Sequence, residues 1–241
     1  MRSNWNPLPN ARGNVTMKKR RRFIKNLFSL FVGLSFFLNP TALWVRKAVA
    51  KVKKIILPQG TRPETLKGKD PSNLDTRNLK PTPVENFRTM GTTNHRVDLK
   101  TWQLEISGHI QRPLQLSYPK IIQMPAIEKN VLLICPGIFS FHARWTGISV
   151  STILEMVQLR PGATHVSFTG PVGKYEKVER FPIGDILSNK VFLAYRVNGE
   201  DLPQKHGFPL RVVAEGYFGS DWVKYVYKVM VETSTYINRF Q

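Results

Sequence analysis

Short apolar stretches at strand spacing, broken by turn residues and by only a few helical segments, predict an α+β domain of mixed β-sheets and short helices. Three observations carry that reading. Trp102, Leu104 and Ile106 alternate with polar residues and end at Gly108, the period of a half-buried strand. Val131-Leu132-Leu133-Ile134 is a continuous apolar run, as in a strand covered on both faces. Hydrophobic residues make up 41% of the 241 residues, enough for a packed core.

The elements follow in chain order. Residues 51–83 hold Pro58, Pro63, Pro71, Pro81 and Pro83 among polar and charged residues, which predicts an extended, solvated tether. After the strand at 102–108, Tyr118 to Met124 reads as a short helix opened by Ser117 and Pro119 and closed by Pro125. The apolar run at 131–134 leads into Cys135-Pro136-Gly137, so the cysteine stands where a strand gives way to a loop, and Phe139 to Phe141 continue that loop. Ser151 to Leu159 is expected to be helical, with Ser151 as its cap and Ile153, Leu154 and Val157 on one face. His165 to Phe168 and Val191 to Tyr195 read as strands, and Asn198-Gly199 as a tight turn. Leu210 to Val213 and Val223 to Val231 close the chain as two further strands.

The formal net charge of +20 invites a nucleic-acid reading, but its distribution argues otherwise. Residues 1–80 hold 18 Lys+Arg against 3 Asp+Glu, while residues 81–241 hold 18 against 13. A nucleic-acid binder concentrates its charge on the folded reading surface. Here the charge belongs to a leader and a tether, and no nucleic-acid partner is expected.

Residues 1–50 have the layout of an export signal. Met17 to Lys25 are strongly basic, Leu27 to Leu38 are apolar, and Asn39-Pro40 break the run. Arg20-Arg21-Arg22-Phe23-Ile24-Lys25 resembles the twin-arginine motif, which addresses folded proteins to the twin-arginine export machinery. Ala48-Val49-Ala50 offers a small-x-small cleavage pattern, and an uncleaved anchor extending through Trp44 is the alternative. The expected location is the periplasm.

One cysteine excludes an internal disulfide and any multi-cysteine zinc site. An unpaired thiol on an exported protein is at risk of oxidation unless it is shielded or occupied. Downstream, His206, Arg211 and Lys224 are interspersed with Gly207, Gly216 and Gly219. A guanidinium fork, an ammonium and approachable backbone amides suit a phosphate-bearing ligand, although solvated strand residues would give the same pattern.

Cys135, Trp145-Thr146-Gly147, Ala194-Tyr195-Arg196-Val197-Asn198-Gly199-Glu200-Asp201-Leu202-Pro203, His206-Gly207-Phe208-Pro209-Leu210-Arg211, Gly219 and Val223-Lys224 together resemble the molybdopterin-binding oxidoreductase domain of the sulfite oxidase superfamily. The layout is nearest to its exported single-domain members, such as the periplasmic methionine-sulfoxide reductases. The resemblance implies a domain over residues 84–241 that holds one molybdenum through a molybdopterin. Cys135 would ligate the metal and act as the catalytic sulfur. Arg211 and Lys224 would bind the cofactor phosphate, with His206 beside them, and Gly219 and Ser220 would open a segment of backbone donors. Asn86, Phe87 and Arg88 stand where family members contact the pterin. Gly170, next to Thr169, falls where the methionine-sulfoxide reductase members have a pterin-contacting threonine. Trp145 and Gly147 are expected to be structural, at a helix entry.

The implied activity is two-electron oxygen-atom transfer on a small molecule, with S-oxide reduction favoured. Oxidation of sulfite is the alternative, as is a non-catalytic binding protein on the same fold. Sulfite oxidases place arginines soon after the cysteine and a tyrosine near the metal. Here cationic candidates are Arg88, His142, Arg144 and Lys177, and Tyr175 is the nearest tyrosine. Electrons would pass to or from a separate partner, by analogy a membrane heme protein.

Overall fold

The computed structural model describes residues 54–173 and 177–234. The expectations for the leader, its cleavage pattern and its apolar run lie outside those residues, as does Tyr175. Among the described residues no helix is long and apolar enough to cross a membrane.

Among the described residues twelve strands form three sheets. β1 (Ile55–Ile56) pairs in parallel with β2 (Leu74–Asp75). A second sheet runs β3 (Gln103–Gly108), β4 (Leu114–Ser117), β7 (Ala163–Thr169), β8 (Val178–Pro182) and β12 (Lys228–Thr233), in spatial order β4-β3-β12-β7-β8. Within it only β3 and β12 are parallel. The third sheet holds β5 (Ala126–Cys135), β6 (Phe139–Ile148), β9 (Val191–Val197) and β10 (Glu200–Asp201), with β11 (Arg211–Ala214) also paired to β9. Among the described residues three short helices complete the α+β fold: α1 (Tyr118–Ile122), α2 (Val150–Val157) and α3 (Ile183–Leu187). One apolar cluster draws Leu104, Ile106, Val229 and Val231 from one sheet and Val131, Trp145, Phe192 and Val212 from the other. Each such fully buried side chain contributes about 1.5–3 kcal/mol relative to exposure.

Four details differ from the sequence reading. Phe139 to Phe141 are not loop but the first residues of β6, which pairs with β5 from Cys135↔Phe139 to Ala126↔Ile148. The Pro136-Gly137-Ile138 turn, with Gly137 at φ 72°, closes a tight hairpin where the sequence suggests a longer loop. Trp145 and Gly147 lie in the last residues of β6, just before the N-cap Ser149 of the helix at 150–157. A Cβ on Gly147 would stand 2.0 Å from the Leu193 carbonyl, so β9 crosses there in direct contact with the backbone. Ser149 and not Ser151 holds the N-cap position of α2, and its hydroxyl, instead of capping the helix, donates to Asn189 Oδ1 at 2.5 Å. Finally, Val223 to Tyr227 are not strand. Lys224 makes an isolated bridge with Arg211, and Tyr225 at φ 54° turns the chain before β12 begins.

The Pro-rich segment is also less solvated than its composition suggests. Leu57, Leu66, Leu74 and Leu79 are buried in a second cluster with Leu132 and Ile134 of β5. Its backbone is stitched to the β5–β6 hairpin: Gly137 N donates to Lys67 O at 2.8 Å, Ser140 Oγ to Pro63 O at 2.6 Å, and Thr82 N to His142 O at 2.7 Å. Leucines spaced irregularly between prolines carry no period, which is why their burial is invisible to a periodicity argument.

Candidate active site

β5 alternates its side chains between two environments, as strand geometry requires. Leu132 and Ile134 face the Pro-rich segment, while Leu133 and Cys135 line a cavity of about 520 Å³ on the other side. Across the hairpin, Phe139 and Phe141 line the same cavity, their rings stacked 6.1 Å apart. Burial pushes the Cys135 thiol above its ordinary pKa, and the nearby Lys177 ammonium opposes that shift. The thiol donates to the Met90 thioether at 3.5 Å.

Arg211, at the start of β11, and Lys224, bridged to it, line the same cavity together with Trp222, Gly219 and Ser220. Arg211 is only 4% exposed. Its guanidinium lies 4.9 Å from the Trp145 ring and 5.4 Å from the Trp222 ring, and Nη1 donates to the His206 carbonyl at 3.0 Å. Nε has no acceptor. The Lys224 ammonium donates to Thr89 Oγ1 at 3.1 Å, to Lys205 O at 3.3 Å and to Thr92 O. Neither cation meets a carboxylate among the described residues. Burial, then the field of Arg211, pull Lys224 down to about 8. Burial and the same cations hold His206 near 3, so its imidazole is neutral at pH 7.

A buried guanidinium with an orphaned N–H and a half-buried ammonium beside it, neither with a counter-charge, are costly unless an anion completes them. A molybdopterin fits on both counts. Its phosphate would neutralise Arg211 and Lys224, and a soft sulfur donor in the same cavity would serve its metal. Among the described residues no three His, Cys, Asp or Glu side chains converge on a metal position. A metal at Cys135 would therefore take its other donors from the cofactor.

The cavity brings together Cys135, Arg88, Arg211, Gly219, Ser220 and Lys224. It does not bring four other expected residues to its wall. Asn86 lines an adjoining recess of about 160 Å³ with Glu64, Lys67 and Arg88. Phe87 is buried against Phe141, with ring centres 4.1 Å apart, and supports the wall from behind. His206 is buried with its ring 5.6 Å from Phe87, and its backbone carbonyl, not its imidazole, serves Arg211. Gly170 lets β7 approach the Lys224 backbone: a Cβ there would stand 3.2 Å from Lys224 O. Gly219 is close-packed for a similar reason, its Cβ position lying 2.8 Å from the Leu133 side chain.

Of the cationic candidates near the cysteine, Arg88 and Lys177 line the cavity, and Lys177 pairs with Glu179 at 3.3 Å. Arg144 pairs with Glu128 at the surface, and His142 is buried beneath the Pro-rich segment. Thr89, Met90, Thr92, Trp222 and Tyr225 also line the cavity. Sequence reasoning missed them because their signal is adjacency alone: three follow Arg88 and two flank Val223-Lys224.

Comparison with known proteins agrees with this geometry. A family model described as the oxidoreductase molybdopterin binding domain matches residues 90–239. The catalytic subunit of a protein-methionine-sulfoxide reductase from Gluconobacter oxydans is 28% identical over 180 residues, covering 63% of this chain and 58% of the relative. An NADH nitrate reductase from Ulva prolifera is 28% identical over 162 residues, covering 54% of this chain and 19% of the relative. The chain thus spans little more than half of one relative's length and a fifth of the other's. Among solved structures, the sulfane dehydrogenase SoxCD from Paracoccus pantotrophus shares the fold, with a TM-score of 0.58 and 19% identity over 77% of this chain and 52% of that one. The chain belongs to the family of molybdopterin-binding oxidoreductase domains in the sulfite oxidase superfamily.

Proposed function

We propose that the chain is an exported molybdenum-cofactor oxidoreductase that removes oxygen from a small S-oxide, with Cys135 as the protein ligand to the metal. The observation that supports it furthest is one cavity lined by a soft sulfur and by two cations without a carboxylate partner, Arg211 buried and Lys224 half-buried. The bound cofactor would supply the two-electron redox couple and the oxygen acceptor. The chain's own residues do the rest. Arg211 and Lys224 hold the phosphate, with Trp145 and Trp222 fixing the guanidinium plane by cation–π contact. Phe139, Phe141 and Ile138 exclude water around the sulfur and offer an apolar approach. The methionine-sulfoxide reductase relative supports an S-oxide as the substrate class.

Residues 1–50 are read as the twin-arginine leader, 51–83 as a segment that wraps the domain, and 84–241 as the catalytic domain. Electrons would come from a separate partner, for which a membrane heme protein is the fitting kind, in the periplasm. A second reading has its own support. Arg88 and Lys177 at the cavity would suit an oxyanion such as sulfite.

Protein made in a molybdopterin-competent host is expected to carry about one molybdenum per chain, and Cys135→Ser to carry none. Metal-free wild-type protein from such a host would overturn the proposal. Turnover of dialkyl sulfoxides with reduced viologen, compared with turnover of sulfite with ferricyanide, separates the two readings.

A further inference from the structure

Met90 is placed differently from the other methionines of the described residues. Its Sδ lies 3.5 Å from Cys135 Sγ, it lines the cavity, and it is 54% exposed. Met156, on the outer face of α2, is 48% exposed but lines neither the cavity nor the adjoining recess. Exposed thioethers are converted by peroxides to sulfoxides, and the two positions are about equally open to that reaction. Only one of them stands over the sulfur that would hold the metal. The backbone around it is fixed as well: Thr89 and Thr92, on either side, both accept from the Lys224 ammonium. A sulfoxide at position 90 would therefore be held at the site in permanent proximity, and its reaction would be unimolecular.

We propose that Met90 is an oxidation site whose sulfoxide is reduced in cis by the chain's own molybdenum centre, an inference that rests on the S-oxide reading above. In the forward step the thioether sulfur takes one oxygen from a peroxide, the O–O bond breaks, and water leaves. In the return step the S–O bond breaks, two electrons and two protons are consumed, and the oxygen leaves as water. The electrons come from a low-potential donor such as reduced viologen, delivered through the bound cofactor. While oxidised, Met90 sets a polar oxygen in the path to Cys135, and its reduction reopens that path.

The test uses the holoenzyme. It is oxidised with hydrogen peroxide, cleared with catalase and given reduced viologen, and the mass gain of about 16 Da on the Met90 and Met156 peptides is followed at several enzyme concentrations. Both peptides are expected to gain the oxygen. At least about half of the Met90 label should then disappear at a rate independent of enzyme concentration, since a chiral site can select one sulfoxide epimer. The Met156 label should persist, or fall at a rate that scales with enzyme concentration. A Met90 label that persists, or that falls only in proportion to enzyme concentration, overturns the proposal. Turnover of added dimethyl sulfoxide in the same preparation separates the failures. If it is reduced while the Met90 label persists, cis reduction is wrong and the S-oxide reading stands; if neither is reduced, both fall.

Discussion

The buried wall of the cavity and its exposed rim are made of different materials. On the wall, Arg211 packs beside the edge-to-face pair of Trp222 and, behind it, Trp145; Lys224 is held by three oxygens, and both indoles are almost wholly enclosed. On the rim, Met90 and Ile138 are 54% and 40% exposed, and Val172, which follows the rim residue Pro171, is 89% exposed. The wall repeats one set of charges that only a permanent anion relieves. The rim offers flexible apolar side chains that tolerate a range of visitors. On the proposed function, a site so divided would keep its cofactor by electrostatics and admit its substrate by shape and hydrophobicity, so the two kinds of binding could be disturbed separately.

The sharpest way to break that division is on the wall. Arg211→Ala, which removes the guanidinium from beside the two indoles, is expected to lower cofactor retention by about 100-fold or more. Metal content after gel filtration measures it, and full retention would mean the phosphate lies elsewhere. Trp145→Ala should cost about 3–5 kcal/mol of stability, because the ring is fully buried and also carries the guanidinium; urea unfolding reads the loss.

A smaller effect comes from protons. His206 sits near 3 against an ordinary 6.5, and Lys224 near 8 against 10.5. In both windows the unfolded chain binds more protons than the folded one, so stability rises with pH from 3 to 6.5 and again from 8 to 10.5. The urea midpoint of cofactor-free protein should therefore climb above pH 8, whereas bound phosphate, by keeping Lys224 charged, should flatten that climb. A flat profile without cofactor would show that the ammonium is well solvated. Smallest of all, Ile138→Ala on the rim should change the KM for an S-oxide by a few-fold, worth about 1 kcal/mol, and leave metal content unchanged. Loss of metal in that variant would erase the distinction between wall and rim.

Part of this site could be read before any coordinates. A cysteine directly after Val131 to Ile134 announces a strand end, and that is where it stands. Arg211 and Lys224, thirteen positions apart in a basic, glycine-punctuated stretch, do converge, through a single bridge between them. Three features were hidden for physical reasons. Tyr225 breaks an apolar run by adopting a left-handed backbone without being glycine, which no residue pattern signals. β6 reads as loop at its start because its aromatic residues face a cavity on one side and alternate with the buried Ser140 and His142 on the other. His206 looks like a ligand by type, yet tertiary packing turns its ring into the wall and presents its carbonyl instead.

The stitching between residues 63–82 and the β5–β6 hairpin has a practical corollary. Gly137, in the turn after Cys135, and Ser140, just beyond it, lean on carbonyls supplied from Lys67 and Pro63. The proline-rich stretch thus acts as a splint for the sulfur's own bend. Cutting it with a protease, or trimming a recombinant chain to start near residue 84, would leave that bend unsupported even though every cavity-lining side chain was still present. A truncated protein that folds but fails to hold molybdenum would owe its defect to the lost splint and not to any missing ligand.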